Sequence, residues 1–233
     1  IVRVDGSNEL DYESAASCAV YVTATSDDSS TSSAEFTITL TDFDEFDVTA
    51  PTDTDADSNE ISEDASNGAS AEITASSSDA DGTTNAITYS ILVQSCTGAF
   101  MIDSSSGEVT VADTSAIDYE SGTSCTITVR ATSADGSTAD TTFTVTIVDV
   151  NDQPPTYSSA DTAPSVVEGT MAVDSVTVSD ADTVGTYTCN LSGDDAQMFD
   201  CTVSGDTATL SFSSAPDYEN PSDANADNVY EVS

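Results

Sequence analysis

The chain reads as all-β, a tandem of β-sandwiches, on three observations. Apolar and polar residues alternate with period two in short segments rich in Val, Ile, Thr, Phe and Tyr, and clusters of Gly, Asp, Asn and Ser separate them; this is the pattern of half-buried strands joined by turns. No segment carries a helical stripe. The whole pattern recurs at about one hundred residues, too long for a solenoid unit and suited to one sandwich per repeat.

The expected strands are "CAVYVTAT" (18–25), "AEFTITLT" (34–41), "ITYSILV" (87–93), "CTITVRAT" (125–132), "TFTVTIVD" (142–149) and "TATLSF" (207–212). The repeat is visible in the turns between them. "ELDYES" (9–14) returns as "AIDYES" (116–121) and "APDYEN" (215–220), placing Asp11, Asp118 and Asp217 at intervals of 107 and 99 residues. "SSDADG" (77–82) answers "VSDADT" (178–183), "ISED" (61–64) answers "VVEG" (166–169), and "LTDFDEF" (40–46) answers "IVDVNDQ" (147–153). The phase divides the chain into the C-terminal half of a repeat (1–50), a complete repeat (51–154) and a repeat lacking its last strand or strands (155–233). That phasing, with no initiator Met, leads us to expect a window from a longer array.

Charge narrows the function. The 233 residues hold 43 Asp and Glu against two basic residues, Arg3 and Arg130, for a formal net charge of -41. Nothing here neutralises phosphate, so nucleic acid and anionic membrane surfaces are excluded as partners. Such self-repulsion opposes compaction unless cations offset it. Disorder is the simple alternative, and the 37% apolar content with its strict alternation stands against it. No run of apolar residues is long enough to insert in a membrane, and the first residues are no signal peptide.

The stretch "DVNDQPP" (149–155) sets three side chains of the kind that bind calcium within four residues, then stiffens the exit with two prolines. Calcium takes six to eight oxygens, with carboxylates to offset its charge. A glutamate near the first strand (Glu63), an Asp-x-Asp (Asp79, Asp81), an Asp-x-Glu (Asp118, Glu120) and an Asp-x-Asn-Asp linker (Asp149, Asn151, Asp152) follow in that order. One Asp-x-Asp means nothing in so acidic a chain, but the ordered set, recurring in phase, is specific.

This set resembles cadherin-type extracellular repeats over essentially the whole chain, and the tail "APDYENPSDANADNVYEV" is similar to the cadherin-like repeats of large bacterial surface proteins. The resemblance implies immunoglobulin-like (cadherin-like) sandwiches joined by calcium-binding linkers. The junction before the complete repeat would use Asp11, Glu13, Asp42, Asp44, Glu45, Asp79, Asp81 and Asn85. The junction after it would use Glu63, Asp118, Glu120, Asp149, Asn151, Asp152, Asp180 and Asp182, with the Val150 carbonyl. Glu168, Asp217 and Glu219 would serve a third. The chain departs from the family in two places. Asp44 and Glu45 stand where the family has Asn and Asp. Ser26 and Ser133 stand where it has an Asp near the sixth strand, leaving Asp27 or Asp135, one or two positions on, as substitutes. Asp53, Asp55, Asp57, Asp223 and Asp227 fall outside the motifs and read as solvated acids, in keeping with saline surroundings.

Five cysteines is an odd number. Cys18 and Cys125 each follow the Asp of their "DYE" by seven residues and are equivalent. Pairing Cys125 with Cys96 therefore places the partner of Cys18 upstream of residue 1, and leaves Cys189 and Cys201 to staple strands of the last repeat. Two disulfides imply an oxidising, extracellular or cell-surface location. Asn190 heads the one sequon not blocked by proline, "NLS". With no His there is neither a Ser-His pair nor a zinc site of the usual kind, and no Trp lines a sugar cleft; we expect no enzyme.

The function expected is that of a calcium-rigidified segment of a long extracellular repeat protein acting as a stalk, adhesin or filament. Its partners would be neighbouring repeats, further copies or other cell surfaces. The alternatives are a ligand- or carbohydrate-binding repeat module of an exported protein and a short subunit polymerising by strand exchange.

Overall fold

The computed structural model describes residues 10–158, 161–183 and 185–233. Residues 1–9 of the expected first half-repeat, with Arg3, and residues 159, 160 and 184 of the last repeat lie outside the described residues. Among the described residues the regular structure is strand, with two single-turn 3-10 helices. The chain forms two compact units, Ile1–Val148 and Asp149–Ser233.

The first unit opens with an antiparallel hairpin of β1 (Ser17–Thr25) and β2 (Thr31–Thr39), in which Cys18 faces Ile38 and Val20 faces Phe36. Its turn is closed by Ser26 and Ser30, with Ser29 in the left-handed region at φ 68°. Tyr21, Val22, Phe36 and Ile38 are exposed on it.

A sandwich follows. One sheet has the order β3 (Thr52–Asp53), β5 (Ser70–Ser76), β8 (Glu108–Val111), β7 (Phe100–Ile102). The other has β4 (Glu60–Ser62), β10 (Thr138–Val148), β9 (Ser124–Ser133), β6 (Ile87–Gln94). The β4–β10 pair is parallel, with Ile61 beside Ile147, and the other pairs are antiparallel. Alternation delivers the core: Ala71, Ile73 and Ala75 from β5, Val109 and Val111 from β8, Cys125, Ile127, Val129 and Ala131 from β9, and Val145 and Ile147 from β10 are all buried. Gly107 permits the close approach of β8 to β5. It sits at φ 77°, and a Cβ there would lie 2.1 Å from the Ala75 carbonyl oxygen.

The disulfide Cys96–Cys125, with Cα atoms 5.6 Å apart, ties the end of β6 to β9, as expected. Cys18, at the place in β1 that Cys125 holds in β9, is the free cysteine among the described residues.

The second unit holds one four-stranded antiparallel sheet among its described residues, β11 (Thr156–Ser158), β12 (Ala172–Ser179), β14 (Thr207–Phe212), β13 (Phe199–Ser204). Phe199, Phe212 and Tyr230 pack with ring centroids 4.5 to 5.9 Å apart. Cys189–Cys201 is also formed, although Cys189 lies in a loop rather than a strand. The chain end is held at 192–195. Ser192 and Ser233 exchange backbone hydrogen bonds, and Asp195 N donates to Glu231 O. Buried Asp195 accepts from Ala224 N and Glu231 N. It precedes Phe199 by four residues, as Cys96 precedes Phe100. A carboxylate fixed by backbone N–H groups thus ties the tail where the preceding repeat uses a disulfide.

Truncation of the core should therefore be costly while the hairpin face is tolerant. Ile127→Ala is expected to lower unfolding free energy by about 2–5 kcal/mol, and Ile38→Ala by under about 1 kcal/mol. Urea unfolding of each variant in the same calcium-free buffer measures both.

Candidate metal centre

The acids of the first unit are placed by short backbone motifs. In each "DYE" turn the leading Asp accepts the N–H groups that follow it. Ser14 N and Oγ donate to Asp11, Ser121 N and Oγ to Asp118, and Glu219 N and Asn220 N to Asp217. The serine donors hold the Asp11 and Asp118 carboxyls below the usual carboxylate range. Such a turn fixes the direction of the glutamate two positions on. Glu13 Oε1 accepts Gly82 N at 2.8 Å. Gly82 is needed for that closeness, since a Cβ would lie 2.5 Å from the Tyr12 ring.

Asp42 and Asp81 complete the group. Asp42 Oδ2 accepts Thr83 N at 2.7 Å and the Thr83 hydroxyl; that hydroxyl is the main reason its carboxyl is held below the ordinary range. Asp81, only 1% exposed, accepts Glu45 N and Phe46 N on Oδ1 at 3.2 and 3.3 Å, so the linker backbone is pinned to it. Asn85 Nδ2 donates to the Asp81 carbonyl at 2.6 Å and holds the loop behind it. Asp79 accepts Asp81 N and the Ser133 hydroxyl, the latter keeping its carboxyl low.

Each of the three carboxylates keeps one oxygen in reserve. Glu13 Oε2, Asp42 Oδ1 and Asp81 Oδ2 are buried and accept no hydrogen bond. One oxygen from each residue lies within 4.8 Å of the others. Glu63, Asp118 and Glu120 likewise bring together one oxygen each, and Glu63 Oε2 accepts Tyr119 N at 2.7 Å. Buried carboxylate oxygens left without donors carry a heavy cost. No basic side chain among the described residues is free to meet them, because Arg130 is the basic residue there and it is held by both Asp140 oxygens at 2.7 and 2.8 Å. Oxygens sharing one ion at calcium's 2.3–2.6 Å can be about 5 Å apart at most, so this donor set fits a hard divalent cation.

The charge left over is felt by the linker. Burial, then Asp135, Asp81, Asp47 and Asp79, raises the Asp44 carboxyl above its ordinary value. Burial, then Glu13, Asp81, Asp42 and Asp11, does the same to Glu45.

The second unit repeats these devices. Asp149 Oδ2 accepts Thr183 N at 2.6 Å and the Thr183 hydroxyl, as Asp42 does from Thr83. Asp182, 8% exposed, accepts Gln153 N at 2.9 Å as Asp81 accepts the first linker. Asp149 Oδ1 and Asp182 Oδ1 are buried without donors. Asp180 receives Asp182 N, Asp152 receives Gln153 Nε2, and Asn151 is exposed in the linker. Glu168 Oε2 accepts Tyr218 N at 2.9 Å, matching Glu63; Glu168, Asp217 and Glu219 are exposed, as is Asn190. The threonine clamps were not anticipated, although "SDADGTT" and "SDADT" place Thr beside the Asp-x-Asp in both copies.

A sequence model of the cadherin domain matches residues 57–151. Residues 57–151 are a cadherin-type repeat. The fold is that of cadherin sandwiches. Similar solved structures include the extracellular cadherin domains 1–4 of protocadherin gamma B7, at 22% identity and TM-score 0.66 over 90% of this chain and 52% of that one. The protocadherin gamma B4 extracellular domain gives 24% and 0.69 over 91% and 34%. Mouse cadherin-23 EC22-24 gives 22% and 0.66 over 90% and 68%. The chain thus spans about half the length of the first of these structures or less. No curated protein matches the sequence. No helix among the described residues is long and apolar enough to cross a membrane.

The acids of the first linker give a sign for pH. Asp44 and Glu45 have folded values above the unfolded ones, so in metal-free protein they weaken the fold at neutral pH, and that penalty disappears as pH falls through their folded values. Asp44→Asn with Glu45→Gln should therefore raise the melting temperature in chelator at pH 7. The gain should vanish near pH 4, about where free carboxyls protonate. Thermal scans of both proteins at the two pH values measure it.

Proposed function

We propose that this chain is a calcium-stiffened segment of an extracellular repeat protein with a structural or adhesive role. The observation that carries the reading is the set of donorless buried oxygens on Glu13, Asp42 and Asp81, in a protein whose described arginine is already committed to Asp140. Glu13, Asp42, Asp44, Glu45, Asp79 and Asp81 would hold calcium at the first junction, with Asp11 and Asn85 positioning their loops. Glu63, Asp118 and Glu120 in one unit, and Asp149, Asn151, Asp152, Asp180 and Asp182 in the other, repeat the motif, and Glu168, Asp217 and Glu219 begin it again. Calcium supplies positive charge and multidentate bonding, replacing repulsion between loops with a fixed arrangement. The repeat boundaries near residues 50 and 154 follow from the same motif phase. Two disulfides support an extracellular setting, and the cadherin match supports binding to neighbouring repeats rather than catalysis.

Calorimetric titration tests this. Calcium should bind, and at a hundred times its Kd should stabilise the fold by about 2.7 kcal/mol per site. Magnesium, which demands octahedral geometry and keeps its waters, should do far less. Asp81→Asn should remove most of the calcium effect. A protein whose melting temperature ignores calcium would refute the reading.

A second reading, self-association through β1 and β2, is favoured by the exposed apolar residues of that hairpin, with Phe36 at 55% and Tyr21 at 67% exposure. Sedimentation velocity at micromolar concentration should then show species above about 24 kDa that Phe36→Ser removes; a single monomer boundary ends it.

A further inference from the structure

The first linker is fastened in two different ways along its length. Its downstream part is built into the sandwich. Val48, 5% exposed, belongs to the hydrophobic core of the complete repeat, and Pro51 is wholly buried. Thr49 N donates to Ser78 O at 2.8 Å, and Ser78 N returns a bond to Thr49 Oγ1 at 2.8 Å. Val48 N donates at 2.9 Å to Ser137 Oγ, 89 residues away in the β9–β10 turn. That turn is itself closed by Ser133 N to Ser137 O at 3.0 Å and Ser137 N to Asp135 Oδ1 at 2.6 Å. Equivalent positions lack the Val48–Ser137 bond. Pro155, 107 residues beyond Val48, has no N–H to give. Ser30, 107 residues before Ser137, turns its hydroxyl back to Asp28 Oδ1 at 2.6 Å. The upstream part is held by carboxylates instead, Asp42 on Thr83 N and Glu13 on Gly82 N. Leu40 N still belongs to the hairpin, donating to Ala16 O at 2.9 Å. Between Leu40 and the bond from Glu45 N to Asp81 lie residues 41–44, where Phe43 is 77% exposed.

We infer that residues 48–51 form a metal-independent latch, with Ser137 as its catch, so that a metal-free joint yields at residues 41–44 while the rest of the linker stays with the sandwich. The two holds differ in chemistry. A hydroxyl, backbone groups and apolar burial are indifferent to the loss of a cation. The carboxylates of Glu13, Asp42 and Asp81 are not, since without a cation they repel one another, and the repulsion loads the stretch that leads to them. A few loop residues can absorb such a motion. The latch holds with or without calcium, and so stands apart from the calcium reading above.

Hydrogen exchange followed amide by amide by NMR, on the whole chain in chelator, tests the latch. The Val48 and Thr49 amides should exchange at least about a hundredfold more slowly than those of Phe43 and Asp44. Ser137→Ala should speed Val48 exchange at least about tenfold, while the β9 amides, which report whether the variant is folded, keep their wild-type rates. Ser137→Thr, which retains the hydroxyl, should retain the slow rate. Val48 and Thr49 amides as fast as Phe43 in chelator would overturn the latch, and so would a Val48 amide indifferent to Ser137→Ala in a folded variant. Phe43 and Asp44 amides as protected as Val48 would overturn the hinge. The wild-type comparison needs no variant and decides alone where Ser137→Ala fails to fold. Added calcium should then slow Phe43 and Asp44; rates unchanged there would sink the junction reading and leave the latch standing.

Discussion

The structure depends on how one kind of group, the carboxylate, is divided between two tasks. A carboxylate has two oxygens, and at the first junction the loops take one and leave the other. Asp42 gives one oxygen to Thr83, Glu13 one to Gly82, and Asp81 one to the linker backbone. Those bonds draw three negative groups to within a few ångströms and hold them before any ion arrives. In a chain of net charge -41 this is the least favourable place to concentrate acids. On the calcium reading proposed above, the arrangement is the metal-free half of a coordination shell. The local bonds settle the loop geometry in advance, so little remains to be ordered when a cation binds.

The same division explains why the chain can be so acidic without every acid being a ligand. Asp195 and Asp223 are as buried as Asp182, but each has both oxygens met by backbone N–H groups. They shape loops. In the run Asp53, Asp55, Asp57, the first two propagate turns by accepting the N–H two residues on. Neither kind leaves an unmet buried oxygen of the sort found on Asp81 and Asp182.

The fold was largely legible because period-two alternation acts over whole strands: β1, β6, β9, β10 and β14 lie where alternation put them. Eight shorter or less regular strands were not expected, and two of them, β5 and β12, escaped for reasons visible in their residues. β5 buries Ala71, Ile73 and Ala75, and alanine is a weak strand signal; the strand is also interrupted at Glu72, which sits at φ 53°. β12 alternates only in its second half, beyond a register shift at Ala172/Asp174. The acids of the site were legible as a motif set, but the sequence could not say which oxygen each keeps free. That is fixed by donors elsewhere in the chain, 41 residues away for the Asp42–Thr83 pair and 69 for Glu13–Gly82. Asp11 illustrates the gap. It stands in the motif as a ligand, and the letters do not show that Ser14 N and Oγ donate to its two oxygens and fix the turn that carries Glu13.

Equivalent positions in the repeats are filled by different chemistry, and this separates what is constrained from what is free. Cys96 and Asp195 precede Phe100 and Phe199 by the same step; one ties its repeat with a covalent bond and the other with two backbone hydrogen bonds. The tie is retained while the chemistry changes. At the linkers the opposite holds. "DFDEF" and "DVNDQ" differ in sequence, yet each presents a leading Asp to a threonine and hands a backbone N–H to the second Asp of an Asp-x-Asp. Packing accepts any solution that holds two segments together. If the linkers hold calcium as proposed, coordination needs oxygen at a given place and distance, which accounts for the repeats agreeing there in three dimensions even where their letters do not.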